Sequence, residues 1–180
     1  NFMAGFEYRG QINGAQNPIL ENLIIGNSVT VTVGDAVLLT TGFVALGTSS
    51  SVGIYGIVVG LVTDKGIDLN NPHVSFTGTY TDSSATYVAA SDNQTVDKVR
   101  AVICPDPMAL WYNDSSGTLT TAMLKQHFKL SDEDQIDQST NTAAVGQFQL
   151  WKLDPDTDAD ASKGLWRISL WQGEAWEPET

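Results

Sequence analysis

The stretch Val29–Asp64, VTVTVGDAVLLTTGFVALGTSSSVGIYGIVVGLVTD, decides how the chain is read. Val29, Val31 and Val33 alternate with Thr30 and Thr32, the period of two that marks a strand with one buried face. Gly34-Asp35 supplies turn chemistry, Ala36–Thr40 is a second apolar run, and Thr41-Gly42 turns the chain into Phe43–Leu46. Three short strands in succession make a meander. Beyond the small polar loop Gly47–Ser51, the segment Ile54–Thr63 is almost continuously apolar. Its β-branched residues and Gly60 favour a strand buried on both faces over a short buried helix.

Outward from this stretch, the first 27 residues are rich in Asn, Gln and Gly, contain Pro18, and end in Leu23-Ile24-Ile25. They read as an extended arm with one leading strand, residues 1–27, ahead of a β-rich unit over residues 28–180. On the other side, Asp64–Ser75 reads as a polar loop. Strands follow at Thr77–Thr81, Thr86–Ala90 and Lys98–Cys104. Thr121–Leu130, with a Thr at its start and Met123, Leu124, His127 and Phe128 at helical spacing, is the one helix candidate. Asp132–Thr142 reads as an acidic loop, and Gly146–Leu153 and Gly164–Trp171 as two closing strands joined by the acidic loop Asp154–Ser162. Turns recurring at about 8–12 residues predict an all-β, single-domain antiparallel barrel or sandwich, with an extended N-terminal arm and at most one or two short helices.

The chain of 180 residues carries 9 basic and 21 acidic side chains, a formal net charge of −12. No clustered basic face is available to meet phosphates, so nucleic acid is not expected as a partner. A single cysteine, Cys104, leaves packing alone to hold the fold. No apolar run reaches the ~18 residues of a spanning helix, and Asn1–Gly10 lacks a basic-then-apolar leader, so no membrane partner is expected and the chain reads as soluble and unprocessed. Met3-Ala4-Gly5 would suit a natural start, with Asn1-Phe2 as an addition.

Groups able to carry chemistry are sparse. His73 lies in a Pro-flanked loop and His127 on an amphipathic stretch, where a solvated loop and a half-buried face account for them better than a general base or metal ligand. Cys104 ends an apolar strand before Pro105-Asp106-Pro107 with no basic neighbour to activate it. The serine runs Ser49–Ser51 and Ser83-Ser84 lack a nucleophile elbow, and Gly53, Gly56 and Gly60 lack the partners of a phosphate loop. Asp154, Asp156, Asp158 and Asp160 alternate in the way a hard cation favours. An EF-hand loop starting at Asp154 would need Gly and Glu where Ala159 and Leu165 stand, so a solvated loop is preferred and Ca²⁺ binding stays open. No catalytic, cofactor or metal residue is assigned, and the chain is not expected to be an enzyme. The five tryptophans, at 111, 151, 166, 171 and 176, suit core or subunit contact better than a sugar surface.

The order of segments, from the arm through VTVGDAVLLTTGFVALGTSS and VGIYGIVVGLVTD to ATYVAASDN, VRAVICPDPMALWYN and GLWRISLW, resembles the capsid decoration or cement proteins of tailed phages. The resemblance covers most of the chain, although its hairpin pattern is shared by other β proteins. It implies a structural, non-catalytic virion protein on the capsid exterior, assembled in the host cytoplasm, a homotrimer whose partner is the major capsid protein. Within that implication, the arm Gly5–Leu20 would order on a neighbouring subunit, with Phe6, Tyr8, Ile12, Pro18, Ile19 and Leu20 as its contacts. Trp111, Trp171 and Trp176 are the candidate subunit or partner contacts. The main alternative is a carbohydrate-binding or fibre- or tail-associated β module, which would expose the same tryptophans beside polar groups. A small hydrolase ranks last for want of a base.

Overall fold

Alternating burial is what turns these short segments into sheets. In the computed structural model, residues 5–63, 75–77, 99–142, 145–154 and 161–170 are described. They hold the strands β1 (Glu7–Gln11), β2 (Glu21–Ile24), β3 (Thr30–Thr32), β4 (Ala36–Thr40), β5 (Phe43–Leu46), β6 (Gly56–Thr63) and β7 (Ser75–Thr77). The later strands are β8 (Val99–Cys104), β9 (Ala109–Asp114), β10 (His127–Asp132), β11 (Gln135–Thr142), β12 (Phe148–Leu153) and β13 (Lys163–Ile168). One sheet runs β1-β9-β13-β12-β10-β11, a second runs β2-β8-β6-β4-β5, and β3 pairs with β7. Neighbouring strands are antiparallel throughout. The chain is thus all-β, two antiparallel sheets packed together as one sandwich. Each sheet curls: the bridge Ile25↔Val44 draws the end of β2 towards β5, and Ser115↔Ile136 draws the end of β9 towards β11.

The five-stranded sheet encloses an aliphatic core of Ile25, Val31, Val37, Val44, Val58, Leu61, Ala101 and Ile103. Its opposite face meets the six-stranded sheet, whose core is aromatic: Phe6, Trp111, Phe128, Phe148 and Trp166, with Leu130, Ile136 and Leu150. Phe6 stacks on Phe148 at 4.6 Å between ring centroids, and Phe128 meets Trp166 edge-on at 5.1 Å. Successive residues of β4 and β6 therefore serve different cores. Ala36 and Ile57 face the aromatic side, while Val37 and Val58 face the aliphatic one. This is why Ile54–Thr63 carries hardly a polar residue: a strand buried on both faces has no water-facing position to fill.

Polar ties join the sheets. Ala36 N donates to Glu133 O at 2.7 Å. The fully buried Gln147 accepts from Leu130 N (2.7 Å) and donates from Nε2 to Thr48 O (2.8 Å) and Ser51 O (2.7 Å), so its amide is satisfied at both ends. Gly34, at φ 103°, makes the turn into β4, and its carbonyl lies so close to Gly5 that a Cβ there would sit 2.8 Å from the oxygen.

Three expectations are corrected. The helix over Thr121–Leu130 is a single 3-10 turn, Thr121–Met123, followed by the strand β10. Thr120 gives no side-chain cap, Lys125 takes a left-handed φ of 66°, and Phe128 and Leu130 point inward around an exposed Lys129, which is strand spacing. Asp132–Thr142 is not simply a loop: Gln135–Thr142 is the edge strand β11, which pairs with β10 and is fully buried only at Ile136. The arm does not extend from the body, because β1 pairs with β9 and β2 with β8 of the same chain. The strands expected at Thr77–Thr81 and Thr86–Ala90 lie outside the described residues, apart from Thr77 in β7.

Candidate functional site

The residues singled out along the arm divide by orientation. Phe6 is buried in the aromatic core, where its N–H donates to Gly34 O at 2.8 Å, and Tyr8 is half-buried with its ring edge-on to Trp111. Ile12 is half-buried, tied by its N–H to Met108 O at 2.9 Å, and Pro18 is half-buried. Ile19 and Leu20 stand out, 61% and 50% exposed. Asp106, itself buried, fixes the run that leads to them: it accepts from Gln11 Nε2 (2.5 Å), Met108 N (2.9 Å) and Ile19 N (3.4 Å). Phe6 and Trp111 are thereby corrected as contact residues, since packing has already used both rings. Trp171 and Trp176 lie outside the described residues, as do His73 and the loop 155–160.

The groups considered for chemistry are held in quiet states. His127 is buried with Nδ1 2.9 Å from Ser169 Oγ, and burial, reinforced by Arg167, holds its pKa below the ordinary histidine value. Burial pushes the Cys104 thiol up to about 11, which keeps it protonated and unreactive. Where the sheets meet, burial lifts Asp35 to about 6, against the Thr32 N–H that donates to it at 2.7 Å, with Asp134 and Asp132 adding to the rise. Glu133 is raised to about 7, first by sharing a hydrogen bond with Asp132 and then by burial. Among the described residues no three His, Cys, Asp or Glu side chains come together in a metal-binding arrangement.

A different cluster forms on the outer face of the six-stranded sheet. On β12, Leu150 pairs with Trp166 and Lys152 with Leu165, so Trp151 is the extra residue of a β-bulge. The bulge breaks the alternation. Leu150 and Leu153 pack on the core, while Trp151 and Lys152 between them are left on the outer side, half-buried and exposed. Lys125, in its left-handed conformation, is pinned by its N–H to Leu150 O (2.8 Å) and by Gln149 Nε2 to its own carbonyl (2.9 Å). Its ammonium lies 3.1 Å from the Trp151 ring centroid and donates to Trp151 O at 3.1 Å. Arg167 of β13, opposite Gln149, brings its guanidinium within 5.7 Å of the same ring. Arg167 is only 9% exposed, and its Nε has no hydrogen-bond partner among the described residues.

Burial lowers the pKa of Arg167, and Lys125 is lowered by burial and by the charges of Arg167 and Lys152. Two of the nine basic residues of a strongly acidic chain thus lie against one indole, and the charge of a third, Lys152, acts on Lys125. The cluster escaped the sequence reading because it depends on a bulge and a strand register. Its traces were a charged Arg167 inside the apolar run Leu165–Ile168 and the neighbouring pair Trp151-Lys152. No protein-family model, curated protein or solved structure matches the chain.

Proposed function

We propose that the chain is a non-enzymatic structural protein of a tailed-phage virion, which binds the outer surface of the capsid lattice as a homotrimer and stabilises the coat subunits. The observation that carries this reading is the exposed pair Ile19-Leu20 at the end of a run ordered by Asp106. Isolated apolar residues on a surface are ordinary, but an adjacent pair on a segment already ordered loses little further entropy when it docks. Covering what remains exposed contributes on the order of 1–2 kcal/mol per side chain, too little for a single tight contact. Symmetric repetition over a lattice multiplies such weak contacts into stable occupancy. Of the tryptophans considered for a glycan surface, Trp111 is buried in the core and offers no ring to a sugar.

The test is the number of copies per purified virus particle, counted by quantitative mass spectrometry against the coat protein. Hundreds of copies are expected. A handful would assign the chain to a tail or fibre, and absence from particles would overturn the reading. The double substitution Ile19→Ser and Leu20→Ser should cut occupancy of shells lacking the protein about tenfold, with the thermal midpoint unchanged.

A further inference from the structure

The pair of Lys125 and Trp151 is one end of a longer strip. Register places Glu7, Tyr112, Leu165 and Lys152 side by side across β1, β9, β13 and β12. These residues point away from the core, because their neighbours Tyr8, Trp111 and Trp166 pack into it. At the β1 end the Arg9 guanidinium lies 4.9 Å from the Tyr112 ring centroid, so a cation caps a ring at both ends of the strip. Arg9, Lys125 and Lys152 are exposed, and Tyr112, Trp151 and Leu165 are half-buried, so the strip offers a partner both charge and apolar area. Two carboxylates lie along it and both are engaged: Glu7 holds Arg9 at 3.1 Å, and Asp154 accepts from the Tyr112 hydroxyl at 2.8 Å. Among the described residues the charges that act on Lys125 are those of Arg167 and Lys152, both cationic.

The turn between β10 and β11 has the opposite imbalance. Asp132, Glu133 and Asp134 follow one another there, the first exposed and the others half-buried. Glu133 is raised by its hydrogen bond with Asp132, then by burial, and the charge of Asp35 adds to the rise; among the described residues no cation offsets it. Copies of a chain with net charge −12 repel in most orientations, and a contact that seats such a turn on such a strip is favoured over the rest. Exposed ion pairs alone hold little, but Trp, Tyr and Arg around an apolar residue are what the centre of an interface is made of.

We propose that the strip Arg9–Tyr112–Leu165–Lys152–Trp151–Lys125 is the surface on which one copy of the chain holds the next, taking the acidic turn Asp132–Asp134 of that second copy. The assignment rests on the homotrimer of the capsid reading and gives it an interface. Strip and turn are different patches, so the contact is head-to-tail and closes as a ring.

The experiment is sedimentation velocity of the full chain from micromolar to millimolar concentration, with melting curves of every variant. A trimer is expected for the unaltered chain. Lys152→Glu, at an exposed position, should weaken association at least tenfold without lowering the melting curve. Lys129→Glu makes the same change of net charge at an exposed position of β10 outside the strip, and should weaken it less than about twofold. Combining Lys152→Glu with Asp132→Lys in one chain should restore the trimer, and the milder cycle of Lys152→Gln and Asp132→Asn reads the same pairing should the reversal upset the turn. A chain that stays monomeric or stops at a dimer, equal effects of the two lysine reversals, or no coupling between Lys152 and Asp132 would overturn the assignment. Copy number per particle judges the capsid reading separately: a monomer abundant on particles would sink this interface alone, and a trimer held by the strip but absent from particles would sink the capsid reading alone.

Discussion

The two sheets bury their residues by different means. The five-stranded sheet closes over small β-branched side chains, whereas the six-stranded sheet is filled by Phe6, Trp111, Phe128, Phe148 and Trp166. Aliphatic packing of this kind needs every second residue along a strand, so it writes itself into the sequence as a regular alternation. A few large rings fill the same volume from widely spaced positions. They leave the remaining residues of their strands free to be polar, as in β11, where Ile136 is the one fully buried residue. The aromatic sheet consequently has the more varied surface, and the cationic cluster is found there.

The largest effect expected is from Trp166→Ala, which would open the aromatic core and cost about 3–5 kcal/mol. If the halves form one cooperative unit through β4 and β6, far-ultraviolet circular dichroism and tryptophan fluorescence will lose stability together in denaturant. Separated midpoints would divide the molecule into two units. Gln147→Leu tests the tie between the sheets. It removes the amide that accepts from Leu130 N and donates to Ser51 O and Thr48 O, of which Thr48 O keeps the Ser51 N–H (3.1 Å), at a cost of roughly 3 kcal/mol by chemical denaturation.

The acidic junction makes a smaller, pH-dependent contribution. Asp35 has a folded pKa of about 6, above its usual 3.8, so the fold favours its neutral form. The stability this gives is full below the unfolded value and is lost as pH rises through about 6, with Glu133, raised to about 7, acting in the same direction. His127 works oppositely: its depressed pKa removes stability as pH falls below the ordinary histidine range. Denaturation between pH 4 and 7 should therefore show an Asp35-dependent loss on the order of 2 kcal/mol, which Asp35→Asn abolishes while retaining an acceptor for Thr32 N–H. The smallest effect belongs to the outer strand β1. Glu7→Gln breaks the exposed pair with Arg9 (3.1 Å) and should change stability by less than about 0.5 kcal/mol.

Legibility followed the same division. β4 and β5 were read to the residue from Ala36–Thr40 and Phe43–Leu46, because their turns and apolar runs are local. β6 was recognised by its double burial, although it begins at Gly56 rather than Ile54. β10 was mistaken for helix because Leu124, His127 and Phe128 fit a helical spacing until register with β12 decides otherwise. β11 was hidden by Asp137, Gln138, Ser139 and Asn141, polar residues tolerated on an edge strand. The exposure of Ile19 and Leu20 fits their place as an apolar pair in a polar arm. Lys125, Trp151 and Arg167 were not visible as a group, since a bulge and a cross-strand pairing bring them together.

The pairing of β1 with β9 and of β2 with β8 also sets an order for synthesis. Glu7 meets Tyr112 and Glu21 meets Ile103, so the strands that leave the ribosome first acquire their partners only when the later ones emerge. At about 5–20 residues per second, β1 waits roughly 5–20 s with its backbone groups unpaired and Phe6 outside any core. Throughout that interval the nascent chain presents an open edge to other nascent chains, and yield will depend on translation speed and on how crowded the polysome is.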